Sequence, residues 1–219
     1  MSKIIERPIL FSTQMVRAIL DGKKTQTRRP LKIQQPTQEH SLLRILSKKD
    51  ESYCWGIRSK TDESLVHPSS ISPIFTPPSG RFWVRETYRP IFGQTGELIS
   101  VDYKADPPEK WERLGDVVGT PVKWRPSIHM PRQASRITLE ITNVRVERLQ
   151  DITEEDALAE GIDGLNDNSH DDVINFSHRT HMVIDSGITW FGALWEKLYG
   201  LDSWNANPWV WVIDFEVVK

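Results

Sequence analysis

Lys23, Lys24, Arg28 and Arg29 crowd a stretch that also holds Thr25, Gln26 and Thr27, with Gly22 immediately before it and Pro30 after it. Cations this close repel one another, and any that is buried also loses hydration. Both effects favour the neutral amine, so a buried lysine in this group has a lowered pKa. Such a lysine can act as a general base or activate a neighbouring hydroxyl, here Thr27. The same cluster also suits contact with phosphate. Part of its charge has a simpler origin. "QMVRAILDG" reads as a helix ended by Gly22, and the negative end of a helix dipole attracts one or two cations, but not four.

Other chemistries find less support. Of the six histidines only His170, His178 and His181 cluster, in a segment that reads as a polar loop, so no metal site is expected. Cys54 is the only cysteine, which excludes an intrachain disulfide and a cysteine-based zinc site. No nucleophile elbow, phosphate loop or dinucleotide fingerprint occurs, and no cofactor is expected. No stretch approaches the roughly 20 apolar residues of a membrane span, nor does the N-terminus read as a signal peptide. A soluble, cytoplasmic protein with no membrane partner is the expectation. The net charge of −2 hides an asymmetry. Residues 1–60 carry 13 Lys/Arg against 5 Asp/Glu, and residues 150–186 carry 1 against 10. The acidic section can neutralise the basic one in the fold.

The elements that must position these groups are short. "RPILFST" predicts a strand running into a helix cap at Ser12 or Thr13, and "TQTRRPL" a strand that Pro30 pushes to a sheet edge. Alternation along it places Lys24, Gln26 and Arg28 on one face and Thr25, Thr27 and Arg29 on the other. Residues 31–79 are polar and proline-rich and read as an insertion, with a hairpin around 53–57. "GRFWVRETYRP" (80–90) predicts one strand, and "LISVDYKA" and "PVKWRPSIHM" two more. The long alternation of 135–152 predicts a strand with a bulge at Asn143. "TEEDALAEGI" is a short helix capped by Thr153 and ended by Gly161. Residues 163–178 read as a loop, 189–200 as an amphipathic helix, and "NPWVWVIDFEVVK" as a closing strand. Strands outnumber helices, so the expected class is α+β, a curved sheet or small barrel with helices packed at its ends. Trp204, Trp209 and Trp211 are expected in the core.

Gly22-x-Lys24-x-x-x-x-Arg29 resembles the GxKxxxxR signature of ASCH domains, a PUA-like family. "FWVRETY", "LQDITEEDALAEGI" and "NPWVW" follow in the order seen in larger bacterial and phage-type members. The resemblance implies one PUA-like pseudo-barrel domain over 1–219, with insertions at about 31–79 and 163–186. It implies RNA, single-stranded nucleic acid or a modified nucleoside as partner. Some small members are amidohydrolases of N4-acetylcytidine that use a lysine, a threonine and a glutamate. These fall on Lys24, Thr27 and Glu160, so the resemblance implies catalysis by this trio. Other members are described as ribonucleases or as binding modules without catalysis, so the family alone does not choose a reaction.

Around that trio, Gly22, Lys23, Arg28 and Arg29 are candidate ligand contacts, with Lys24, Thr27 and Arg29 expected to floor the pocket. In "RFWVRETYR", Trp83, Arg85 and Glu86 have the chemistry to stack on a base and bond its edge. Arg85 and Glu86 lie on opposite faces of a strand. Asn207, in the "WNANPW" loop, is a candidate to present its amide to a ligand.

Overall fold

The computed structural model describes residues 5–31, 34, 40–46, 53–59, 65–66, 80–92, 95–115, 123–162 and 170–218. In chain order the elements are β1 (Ile5–Leu10), α1 (Thr13–Leu20), β2 (Gln26–Pro30), β3 (His40–Leu46), β4 (Tyr53–Ser59) and β5 (Leu65–Val66). Then come β6 (Gly80–Arg85), β7 (Tyr88–Phe92), β8 (Leu98–Tyr103), α2 (Pro108–Gly115), β9 (Thr138–Arg148), α3 (Glu154–Ala159), α4 (His170–Thr180), α5 (Gly187–Tyr199) and β10 (Trp209–Val217).

Five strands form the main sheet, in the order β1-β6-β9-β10-β2. β1 and β6 are parallel; the other pairings are antiparallel. The mixed α+β class is as expected, but the sheet is open, with β1 and β2 at its edges, and no closed barrel forms among the described residues. β3, β4 and β5 make a separate antiparallel sheet inside the 31–79 stretch, with β3 and β4 as its hairpin. β7 and β8 pair alone.

β10 explains why the closing run is apolar at consecutive positions. Val210 and Val212 join one core with Leu149, Phe176, Phe191, Trp195 and Trp204 from the helical side. Ile213 and Phe215, with Trp211 packed alongside, join the other, with Val16 and Ile19 of α1 and the inward residues of β1, β6 and β9. A strand buried on both faces has no polar side. The bulge in β9 is present: Asp214 pairs with Asn143 and Phe215 with Ile141, leaving Thr142 as the extra residue.

Three expectations fail for tertiary reasons. The loop expected at 163–178 contains α4; residues 163–169 lie outside the described residues. Val173 and Phe176 are its buried stripe, two positions in a polar sequence and too few to show a period. The strand expected over 80–90 splits between β6 and β7. Glu86 is buried at the break, its backbone N–H donating to Met130 Sδ at 3.4 Å and its carboxylate held by Arg136. Residues 121–122 of the strand expected in 121–130 lie outside the described residues, and the rest holds only one bridge, between Arg125 and Tyr88, followed by a 3₁₀ turn at Ser127–His129 after Pro126.

Among the described residues no helix is long and apolar enough to cross a membrane. α4 and α5 approach closely because position 192 has no side chain: a Cβ on Gly192 would lie 2.3 Å from Phe176 Cζ. Gly192→Ala therefore overpacks this contact, at a cost of about 1–3 kcal/mol. The expected outcome is a fall of several degrees in the thermal midpoint, read by circular dichroism.

Candidate functional site

α1 is capped by Ser12, whose hydroxyl accepts from the Met15 N–H, and it ends in a left-handed turn at Gly22, φ +72°. Ala18 O accepts from Lys23 N at 2.9 Å and Lys24 N at 3.0 Å, and Ile19 O accepts from Gly22 N at 3.1 Å. This double closure turns the chain so that Lys23 faces solvent and Lys24 enters the interior.

α3 supplies the other half. Thr153 caps it, accepting from the Asp156 N–H. Gly161, φ +81°, ends it against α1, and a Cβ there would lie 2.8 Å from Lys24 Cβ and 2.9 Å from Ala18 Cβ. Backbone bonds tie the two ends together, with Lys24 and Glu160 forming an antiparallel bridge and Thr25 N donating to Ala159 O at 2.9 Å.

Lys24, 1% exposed, is among the largest fully buried side chains of the described residues. Its Nζ donates to Glu160 Oε2 at 2.8 Å and to Glu160 O at 2.7 Å. Burial lowers its pKa from the usual 10.5, and Arg29 and Arg28 add to this, while the Glu160 carboxylate opposes it. Arg28, equally buried, donates to Asp156 Oδ2 at 2.8 Å and Glu147 Oε2 at 3.3 Å, and its Nη1 stands 3.6 Å from Glu160 Oε1. Gln26 bonds Asp156 Oδ1 at 2.9 Å and Asp214 Oδ1 at 2.7 Å. Arg145 bridges Asp156 at 2.9 Å and Asp214 at 3.0 Å. The face expected to hold Lys24, Gln26 and Arg28 thus packs against the acidic start and end of α3. Basic and acidic sections of the sequence meet here.

Beside this network lies a cavity of about 270 Å³. Thr27, Arg28, Arg29 and Glu160 form its polar side. Leu10, Phe11 and Met15 line it from the β1–α1 side, and Phe191, Leu194, Trp195, Leu198 and Tyr199 from α5. Lys24 sits behind Glu160 rather than in the lining, so it does not floor the pocket. Arg29 donates to Leu10 O at 2.7 Å and packs over the Phe11 ring; of the cations lining the cavity it is the one without a carboxylate partner among the described residues.

The remaining candidates stand apart from the cavity. Trp83 is buried with the Arg85 guanidinium 4.7 Å and the Arg132 guanidinium 6.0 Å from its ring. Arg85 donates to Ile128 O at 3.2 Å. Glu86 accepts from Arg136 Nε at 3.0 Å and Nη2 at 3.2 Å, and burial raises its pKa against the pull of that arginine. Asn207 Oδ1 accepts from the Gln150 N–H at 2.9 Å, which holds the turn before β10. Among the described residues no three His, Cys, Asp or Glu side chains come together to hold a metal ion. Sequence reasoning missed Arg145, Asp156 and the α5 wall as parts of this site. The helical period of α5 was visible, but nothing local tells which of its residues meets a cavity. Comparison of the chain with family models, curated proteins and solved structures gives no match.

Burial alone would raise the Asp156 pKa, but hydrogen bonds from Gln26 and Arg28 and the charges of Arg28 and Arg145 bring it below 3.8. Its stabilising effect is therefore present above pH 3.8 and lost as pH falls through the lowered value. Asp156→Asn leaves Arg28 short of its nearest carboxylate, and a loss of about 3 kcal/mol at neutral pH is expected. Denaturant unfolding should show that gap closing in acid. Gly161→Ala combines a disfavoured φ with the overlap on Lys24, and about 2–3 kcal/mol of destabilisation is expected from the same measurement.

Proposed function

We propose that this chain is a PUA-like protein of the ASCH type whose cavity takes a modified nucleoside, and that it hydrolyses an N4-acylcytidine-type amide. The observation that carries this reading is that Thr27 and Glu160, far apart in sequence, line one cavity, with Lys24 bonded to Glu160 from behind. Its volume and mostly apolar lining suit a small planar ligand. Glu160 meets the cavity, and its Oε1 has no hydrogen-bond partner.

In this reading Glu160 takes a proton from a water, or from Thr27 Oγ, as that oxygen attacks the acyl carbonyl carbon. The carbon–nitrogen bond then breaks, and the proton passes from Glu160 to the leaving exocyclic amine. If Thr27 is the attacking group, water releases the acyl chain in a second, equivalent step. Lys24 bonds Glu160 Oε2 from behind and holds that carboxylate in place. Because burial lowers the Lys24 pKa, its neutral form is populated below the usual 10.5.

A non-catalytic reader of RNA, single-stranded nucleic acid or a modified base is the second reading, and one observation favours it: Lys24 has no face on the cavity. Arg28 is already neutralised by Asp156 and Glu147, which fits a neutral nucleoside better than a phosphate chain. Binding with little salt dependence is expected for the nucleoside, and a steep loss with salt for a strand.

The test is cytidine release from N4-acetylcytidine by the wild-type protein, Lys24→Met and Glu160→Gln. Each variant should lower kcat by about 10²–10⁴, the usual worth of general acid–base catalysis. Unchanged turnover in either variant removes that residue from the chemistry. Saturable binding without turnover selects the reader.

A further inference from the structure

Among the described residues, five buried side-chain polar atoms have no hydrogen-bond partner: Arg28 Nε, Arg85 Nε, Glu160 Oε1, Trp195 Nε1 and Ser203 Oγ. Three of the five belong to residues that line the cavity described above: Arg28, Glu160 and Trp195. Orphaned polar atoms are rare in folded proteins, and each one weakens the fold. Their gathering at one cavity calls for a ligand that supplies what the protein does not.

Trp195 is the least expected of the three. It lies on α5, is 2% exposed, and has the periodicity of a plain core residue. Its ring is fixed by Phe191 at 6.1 Å and Tyr199 at 4.3 Å between centroids. A buried tryptophan usually finds an acceptor for its indole N–H. Here the neighbouring lining from the same helix is Phe191, Leu194, Leu198 and Tyr199, which leaves the N–H unmatched. Tyr199, 39% exposed, packs on the Trp195 ring and stands between it and solvent.

We propose that Trp195 is a ligand-binding residue whose indole N–H donates to the carbonyl oxygen of a neutral, planar amide, while the N–H of that amide donates to Glu160 Oε1. Two spare N–H groups, on Trp195 and Arg28, and one spare carboxylate oxygen, on residues that line the same cavity, are the complement of a –C(=O)–NH– group. The Arg28 charge is already met by Asp156, Glu147 and Glu160, so the amide end of the ligand carries no charge. Its carbon skeleton lies along Met15, Leu194 and Leu198. In a hydrolase, the same donor would hold the oxygen on which charge develops. The assignment deepens the amide reading given above, but the hydrogen bond itself does not depend on turnover.

The test follows the nine tryptophan indole N–H resonances of the ¹⁵N-labelled wild-type protein, assigned through bonds, during titration with N4-acetylcytidine and separately with acetamide. The Trp195 resonance should move downfield, as a new hydrogen bond requires. Trp195→Phe, which keeps the ring but removes the donor, should weaken N4-acetylcytidine binding about tenfold, the factor one good hydrogen bond provides. A Trp195 resonance unmoved by both probes overturns the assignment, and so does a folded Trp195→Phe protein that binds as tightly as wild type. Cytidine release is scored separately. Release with an unmoved resonance leaves the hydrolase reading standing and removes Trp195, whereas a moved resonance without release does the reverse.

Discussion

The pairing of Lys24 with Glu160 is the constraint around which the rest is arranged. An ammonium and a carboxylate out of contact with water are tolerated only together, because each alone would forfeit its hydration with nothing in return. The chain therefore has to bring the start of β2 to the end of α3, 136 positions away, and hold them at hydrogen-bond distance. It does so with backbone as well as side chains, through the Lys24–Glu160 bridge and the Thr25 bond to Ala159. Two glycines in left-handed conformations, Gly22 and Gly161, make the turns that permit this approach.

Around that pair the charges are nested. Arg28 is held by Asp156 and Glu147, and Arg145 by Asp156 and Asp214. Asp156 stands at the third position of α3, where an acidic side chain often reaches back to the helix cap. Here it reaches outward to two arginines and Gln26. The basic stretch is consequently not a charged surface. Lys23 faces solvent, Arg29 borders the cavity, and the other two cations are internal. The cavity is bordered by charged and polar side chains on one side and by α5 on the other.

Much of the framework was legible where local chemistry is strong. The Ser12 and Thr153 caps, the glycine stops at 22, 161 and 200, the bulge near Asn143 and the closing strand all depend on residues within a few positions of one another. α4 was not legible, because its buried stripe consists of Val173 and Phe176 within a polar run, and the helix packs through the gap left by Gly192 on another element. The break at Glu86 was hidden for a similar reason: its partners, Arg136 and Met130, lie some 50 and 44 positions away.

For the site the division is equally physical. The spacing of Gly22, Lys24, Thr27 and Arg29, and the expectation of a lysine with a lowered pKa among arginines, are properties of one short segment and can be read from it. Which carboxylate meets that lysine, which face of α5 closes the cavity, and that Glu86 and Asn207 serve structural bonds instead, depend on contacts between segments. Those contacts are set by packing and charge compensation across the whole fold, and no local pattern encodes them.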